Sequence, residues 1–174
     1  MSATALVSIL CPDRTGLIAA VAGRLYDLGV NLGDTTFAVL GGGAEFTSLC
    51  ELPQGVSPQT IERDLKGLPE LEGGKVTVAP FSLPDVHGPS ARITHRIEIA
   101  GRDMPGLIAR VAEAFNEFGA NIVRMNSERT PGSGATLYVT RISAWIPEGK
   151  TEACLATVAN TSAQMNLTCK FMPV

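Results

Sequence analysis

The feature that most constrains this chain is a segment it carries twice. Residues 13–32, DRTGLIAAVAGRLYDLGVNL, return ninety positions later as DMPGLIARVAEAFNEFGANI, residues 103–122. Nine of these twenty positions are identical: Asp13, Gly16, Leu17, Ile18, Ala19, Val21, Ala22, Gly29 and Asn31 each meet the same residue in the second copy. Leu25, Leu28 and Leu32 meet Phe115, Phe118 and Ile122. A repeat of about ninety residues exceeds a solenoid unit and suits two small domains.

The flanks repeat as well. Ala3–Leu10 alternates Ala5, Val7 and Ile9 against Leu6, Ser8 and Leu10, and Arg92–Ala100 alternates Ile93, Ile97 and Ile99 against Arg92, Arg96 and Glu98, so both read as strands. Apolar residues at 17, 18, 21, 22, 25 and 28, and again at 107, 108, 111, 112, 115 and 118, form the stripe of a 3.6-residue period. Gly29 and Gly119 stand where a left-handed helix stop is wanted. Hairpins follow, turning at Gly41–Gly43 and at Pro131-Gly132-Ser133-Gly134. Ser57-Pro58 reads as an N-cap and first helical residue before the stripe Ile61, Leu65 and Leu68. In the second copy Thr151 is the expected cap, with Leu155, Val158 and Met165 beyond it. KVTVAPF and NLTCKFM close the halves as short strands. The expected fold is α+β: two tandem ferredoxin-like βαββαβ domains, each a four-stranded antiparallel sheet with two helices on one face. The first spans 1–81 and the second 91–174, with a Pro- and Gly-rich linker at 82–90.

Bulk properties narrow the function. Charged residues make up 18% of the chain and the net charge is −3, with no cluster of Lys and Arg, so direct nucleic-acid binding is not expected. Hydrophobic residues reach 45%, yet no apolar run has the length of a membrane span, and MSATALVSIL reads as a strand rather than a signal peptide. Cys11, Cys50, Cys154 and Cys169 lack metal-ligand spacing or a disulfide framework, which fits a cytoplasmic protein with no metal or cofactor.

Asp-x-x-Gly-Leu-Ile after a strand, the apolar helix and Gly-x-Asn-Leu/Ile together resemble the ACT domain, a βαββαβ regulatory module. The resemblance covers nearly the whole chain as a tandem pair. FAVLGGGAEFTSLCEL is similar to the glycine cleavage system transcriptional repressor family, and CPDRTGLIAAVAGRLYDLGVN to the N-terminal domain of formyltetrahydrofolate deformylases, whose hydrolase domain has no room here. The resemblance implies a regulator that binds a small amino acid, glycine being the candidate, with ligands lying at domain pairs.

The candidate ligand residues are Asp13, Gly16, Leu17 and Asn31, and Asp103, Gly106, Leu107 and Asn121. Gly16-Leu17 and Gly106-Leu107 open helices, whose N–H groups attract a carboxylate. Asp13 or Asp103 can accept from an ammonium group, and an Asn offers a donor and an acceptor. The helix from Gly16 to Leu28 is roughly 20 Å long at 1.5 Å per residue, so one metabolite cannot touch both its ends. Two domains side by side would resolve this, loop 11–17 facing Asn121 and loop 101–107 facing Asn31. Taken one at a time, these residues have plainer roles: an Asp as N-cap, a Gly permitting the loop, an Asn continuing a turn.

Catalysis is not expected. Cys11 has no histidine in a comparable motif to act as its base and reads as a buried strand-end thiol. His95 reads as a strand histidine and His87 lies in the linker. Gly41–Gly43 lacks the Gly-Lys-Ser/Thr of a phosphate loop, and Trp145 reads as packing, at a domain or subunit contact. The expected partners are a small amino acid and a protein, a transcription factor being one kind, with homodimerisation and neither membrane nor direct nucleic-acid contact. The second reading is a ligand-free module whose exposed sheet edges drive dimerisation.

Overall fold

The computed structural model describes residues 3–131 and 136–174. It divides into two compact units, Met1–Leu83 and Pro84–Val174. Each has the element order βαββαβ. The first contains β1 (Ala3–Pro12), α1 (Leu17–Asp27), β2 (Asn31–Leu40), β3 (Gly43–Leu52), α2 (Pro58–Lys66) and β4 (Lys75–Pro80). The second contains β5 (His95–Gly101), α3 (Leu107–Glu117), β6 (Asn121–Pro131), β7 (Thr136–Trp145), α4 (Thr151–Gln164) and β8 (Thr168–Pro173). Both sheets are antiparallel and four-stranded, in the orders β2-β3-β1-β4 and β6-β7-β5-β8. The two-domain ferredoxin-like plan expected from the repeat is the fold observed.

Each unit has its own core. In the first, Ala5, Val7 and Ile9 of β1 pack with Leu17, Val21 and Leu25 of α1 and Ile61 and Leu65 of α2. Ile97, Ile99, Leu107, Val111, Phe115 and Val158 do the same in the second. A fully buried side chain of this kind contributes about 1.5–3 kcal/mol, so the repeated stripe accounts for the duplicated fold. The stripe is narrower than expected. Leu17, Val21 and Leu25 are buried, but Ile18 is 46% exposed because it lies a hundred degrees around α1, beyond the sheet.

Gly29 and Gly119 take φ of 71° and 68°, which a side chain rarely adopts, and stop α1 and α3. Ser57 caps α2, its Oγ accepting from Thr60 N–H at 3.1 Å. The expected cap of α4 is corrected by one residue: Thr151 is the first helical residue and Lys150 precedes it without a side-chain cap. The first strand of the second unit differs from the expected Arg92–Ala100: a 3-10 turn occupies Pro89–Ala91, and β5 runs from His95 to Gly101. The turn expected at Pro131–Gly134 falls, beyond Pro131, outside the described residues.

Candidate functional site

In both units the chain leaves the first strand, crosses a short loop and enters the helix through a glycine. Gly16 has φ 88° and Gly106 φ 81°, and open space surrounds the position of a Cβ at each. Glycine is needed here for its backbone conformation, not for room. The two aspartates do not cap these helices: the N-cap residues are Gly16 and Gly106 themselves, which carry no side-chain acceptor. The first N–H of each helix turns back on its loop, Leu17 to Arg14 O at 3.4 Å and Leu107 to Met104 O at 3.3 Å. The polar end of the helix therefore lies at Ile18-Ala19 and Ile108-Ala109, two residues further than the sequence indicated.

The structure brings Asp13, Gly16 and Leu17 together at one end of the first sheet, and Asp103, Gly106 and Leu107 together at the corresponding end of the second. It places the asparagines elsewhere. Leu40 and Pro12 both stand opposite Gly43, at the loop end, while Asn31 lies nine residues back along β2 opposite Glu51. That separation is roughly 30 Å at about 3.3 Å per residue. Asn121 is likewise at the far end of β6, opposite Trp145. Asn31 Nδ2 reaches Glu51 Oε2 at 3.4 Å, and Asn121 Nδ2 donates to Ser90 O at 2.9 Å.

The first loop borders a shallow cleft of about 270 Å³, lined by residues 13–19 and Phe37. Asp13 makes no side-chain hydrogen bond or ion pair among the described residues, and its N–H donates to Gly42 O at 3.0 Å. Arg14 also borders the cleft, but its guanidinium is bonded elsewhere: its Nη1 donates to Pro69 O at 2.8 Å and its Nη2 to Glu72 O at 3.0 Å, fixing the loop to the connection before β4. Cys11 is buried beneath, and burial pushes its thiol up, with Arg14 opposing and Asp13 adding to the shift. A thiol held protonated is a poor nucleophile.

The second loop differs. Asp103 Oδ2 accepts from Arg129 Nη2 at 2.6 Å and Nε at 3.2 Å. Met104 replaces Arg14, and Gly101 replaces Cys11. Arg129 and the tether of Arg14 were missed by sequence reasoning; no local motif marks either, since their partners lie 26 and at least 55 residues away. Gly101 has a packing reason: a Cβ there would meet Leu167 Cδ2 at 2.4 Å. The equivalent contact in the first unit is reversed, with Cys11 the larger partner and Gly74 the smaller, a Cβ at Gly74 meeting Cys11 Cβ at 2.6 Å.

Other expected features have plain placements. His95 is half-buried on β5 with Nδ1 3.0 Å from Thr94 Oγ1, and Trp145 is half-buried at the end of β7. Among the described residues no group of three or more His, Cys, Asp or Glu is placed to hold a metal ion, and no helix is long and apolar enough to cross a membrane.

Residues 95–144, from the start of β5 nearly to the end of β7, match the ACT domain family model. No curated protein matches the chain. Among solved structures, an unknown protein from Galdieria sulphuraria is similar over 100% of this chain and 99% of its own, at 20% identity and a TM-score of 0.77. A candidate glycine cleavage system transcriptional repressor is similar over 100% of this chain and 98% of its own, at 16% identity and a TM-score of 0.65. These identities show the fold, an ACT-type βαββαβ unit in tandem.

Proposed function

We propose that the chain is a non-enzymatic regulator that binds a small amino acid at the loop opening the first helix of an ACT unit and signals through a protein partner. The observation that carries this reading is the first loop: an unpaired Asp13 beside a helix N-terminus whose cap is glycine, above a cleft walled by Ile18 and Phe37. The α-carboxylate of the ligand takes the backbone N–H groups of the first turn, where the helix dipole favours negative charge. Its α-ammonium takes Asp13. Glycine is the first candidate, from the resemblance to glycine cleavage repressors, and the fold of one such structure supports that choice of probe. A ligand that prefers one arrangement of paired units changes the surface offered to the partner, a transcription factor in the repressor-like case.

A thermal-shift screen of the purified chain against the common amino acids tests this. At a hundredfold excess over Kd, a ligand of the folded state adds about 2.7 kcal/mol and raises Tm by several degrees. Glycine or a close homologue is expected to give the shift, and Asp13→Ala to abolish it. A flat response to every amino acid at millimolar concentration contradicts the reading.

One observation favours the second reading, a ligand-free dimerisation module. The edge strand β2 leaves Phe37, Val39 and Leu40 exposed, Val39 by 52% and Leu40 by 56%. An apolar edge is a pairing template. Under this reading Val39→Lys splits a dimer in size-exclusion chromatography and amino acids have no effect.

A further inference from the structure

The sequence repeat presents the two loops as copies, and on that basis each chain would carry two equivalent sites. The side chains around them say otherwise. Past the asparagines the ninety-residue offset fails, and the buried hydroxyls reset the correspondence. Thr35 Oγ1 and Ser48 Oγ lie 2.8 Å apart between β2 and β3, and Ser127 Oγ and Thr140 Oγ1 lie 2.9 Å apart between β6 and β7. These pairs are equivalent, with the residue types exchanged. Two residues further along, Phe37 stands opposite Phe46 and Arg129 opposite Tyr138. Arg129 therefore occupies the place of Phe37, the side chain that walls the first loop's cleft.

We infer that the first loop alone takes the amino acid, and that Arg129, by pairing with Asp103, closes the second; this rests on the amino-acid reading above. In the first unit the nearby arginine, Arg14, spends its hydrogen bonds on Pro69 O and Glu72 O and makes none to Asp13, which leaves that carboxylate open to an ammonium group. In the second unit the nearby arginine is turned into the site. Its guanidinium gives two hydrogen bonds to one oxygen of Asp103, cancels the charge that an ammonium needs, and adds a cation a few ångströms from where that ammonium would sit. The apolar wall is lost with the same exchange. The pair is exposed, so its removal changes binding without threatening the fold.

Titration calorimetry of the full chain with glycine, alanine and serine tests this, using wild type, Asp13→Ala, Arg129→Phe and the double variant Asp13→Ala/Arg129→Phe. The wild type is expected to bind one molecule per chain, Asp13→Ala to lose it, and Arg129→Phe to gain a second site at least about tenfold tighter than any trace of it in wild type. The double variant is expected to bind one molecule again, now at Asp103. Two equal sites in wild type, or a single site unchanged in number by Arg129→Phe, would overturn this inference while leaving the amino-acid reading standing. Absence of heat with all three amino acids at millimolar concentration would overturn the amino-acid reading, and the inference with it.

Discussion

At the scale of single residues, two kinds of glycine carry different physics. Gly16 and Gly106 sit in the left-handed region with empty space around them, so an added methyl group costs only backbone strain. Gly16→Ala is expected to lower stability by about 1–2 kcal/mol. Gly74 has an ordinary backbone but no room: a Cβ would meet Cys11 Cβ at 2.6 Å, Leu71 O at 2.9 Å and Leu10 O at 3.1 Å. Two of those three contacts are backbone and cannot rotate away. Gly74→Ala is therefore expected to cost about 1–3 kcal/mol as overpacking, whereas Gly88→Ala, in open space, leaves stability unchanged. Urea midpoints of the three variants separate these cases, and a silent Gly74→Ala would contradict the tight contact. Gly101 stands where the first copy has Cys11; that Leu167 fills the space beside it was not legible in the sequence, because only the fold makes the two neighbours.

At the scale of elements, the repeat was legible because a 3.6-residue stripe and alternating strands both encode burial, and burial is what duplicates the fold. Side chains that act across elements were not. Ile18 matched the stripe in sequence but faces the cleft, since only one line of a helix meets a sheet. Arg129 aligns with Val39 at the ninety-residue offset and with Phe37 in space, because β6 and β7 carry two more residues than β2 and β3 between the asparagine and the buried hydroxyl pair. Glu62 is a further case. From α2 it accepts from Lys66 Nζ at 2.5 Å and, with its other oxygen, from the Val78 N–H of edge strand β4 at 3.1 Å. The lysine bond first, and then the backbone bond, hold its carboxyl below the ordinary glutamate range. A depressed carboxyl contributes stability that is present above its unfolded value of about 4.3 and is lost as pH falls through the lower folded value. Glu62→Gln is thus expected to reduce stability at neutral pH and to flatten its decline below about pH 4. A variant whose urea midpoint falls with acid as steeply as wild type would show that Glu62 does not carry this dependence.

At the scale of the whole molecule, duplication and divergence have separate explanations. Two cores of the same design make two ACT-type units. At equivalent contacts, Cys11 and Gly74 against Gly101 and Leu167, the glycine changes strand, and in each unit one side chain fills the space that the glycine leaves. The exchange of Phe37 for Arg129 preserves nothing and changes what the loop can hold. Under the proposed function, one loop is open to a ligand and the other is closed by the pair of Arg129 with Asp103. An ¹⁵N-resolved NMR titration of the full chain with glycine tests it most directly, since backbone amides at each helix opening report separately. The expected result is dose-dependent shifts at Gly16, Ile18 and Ala19, with Gly106, Ile108 and Ala109 unmoved at the same concentrations. Shifts confined to the second loop, or none at either, would contradict it.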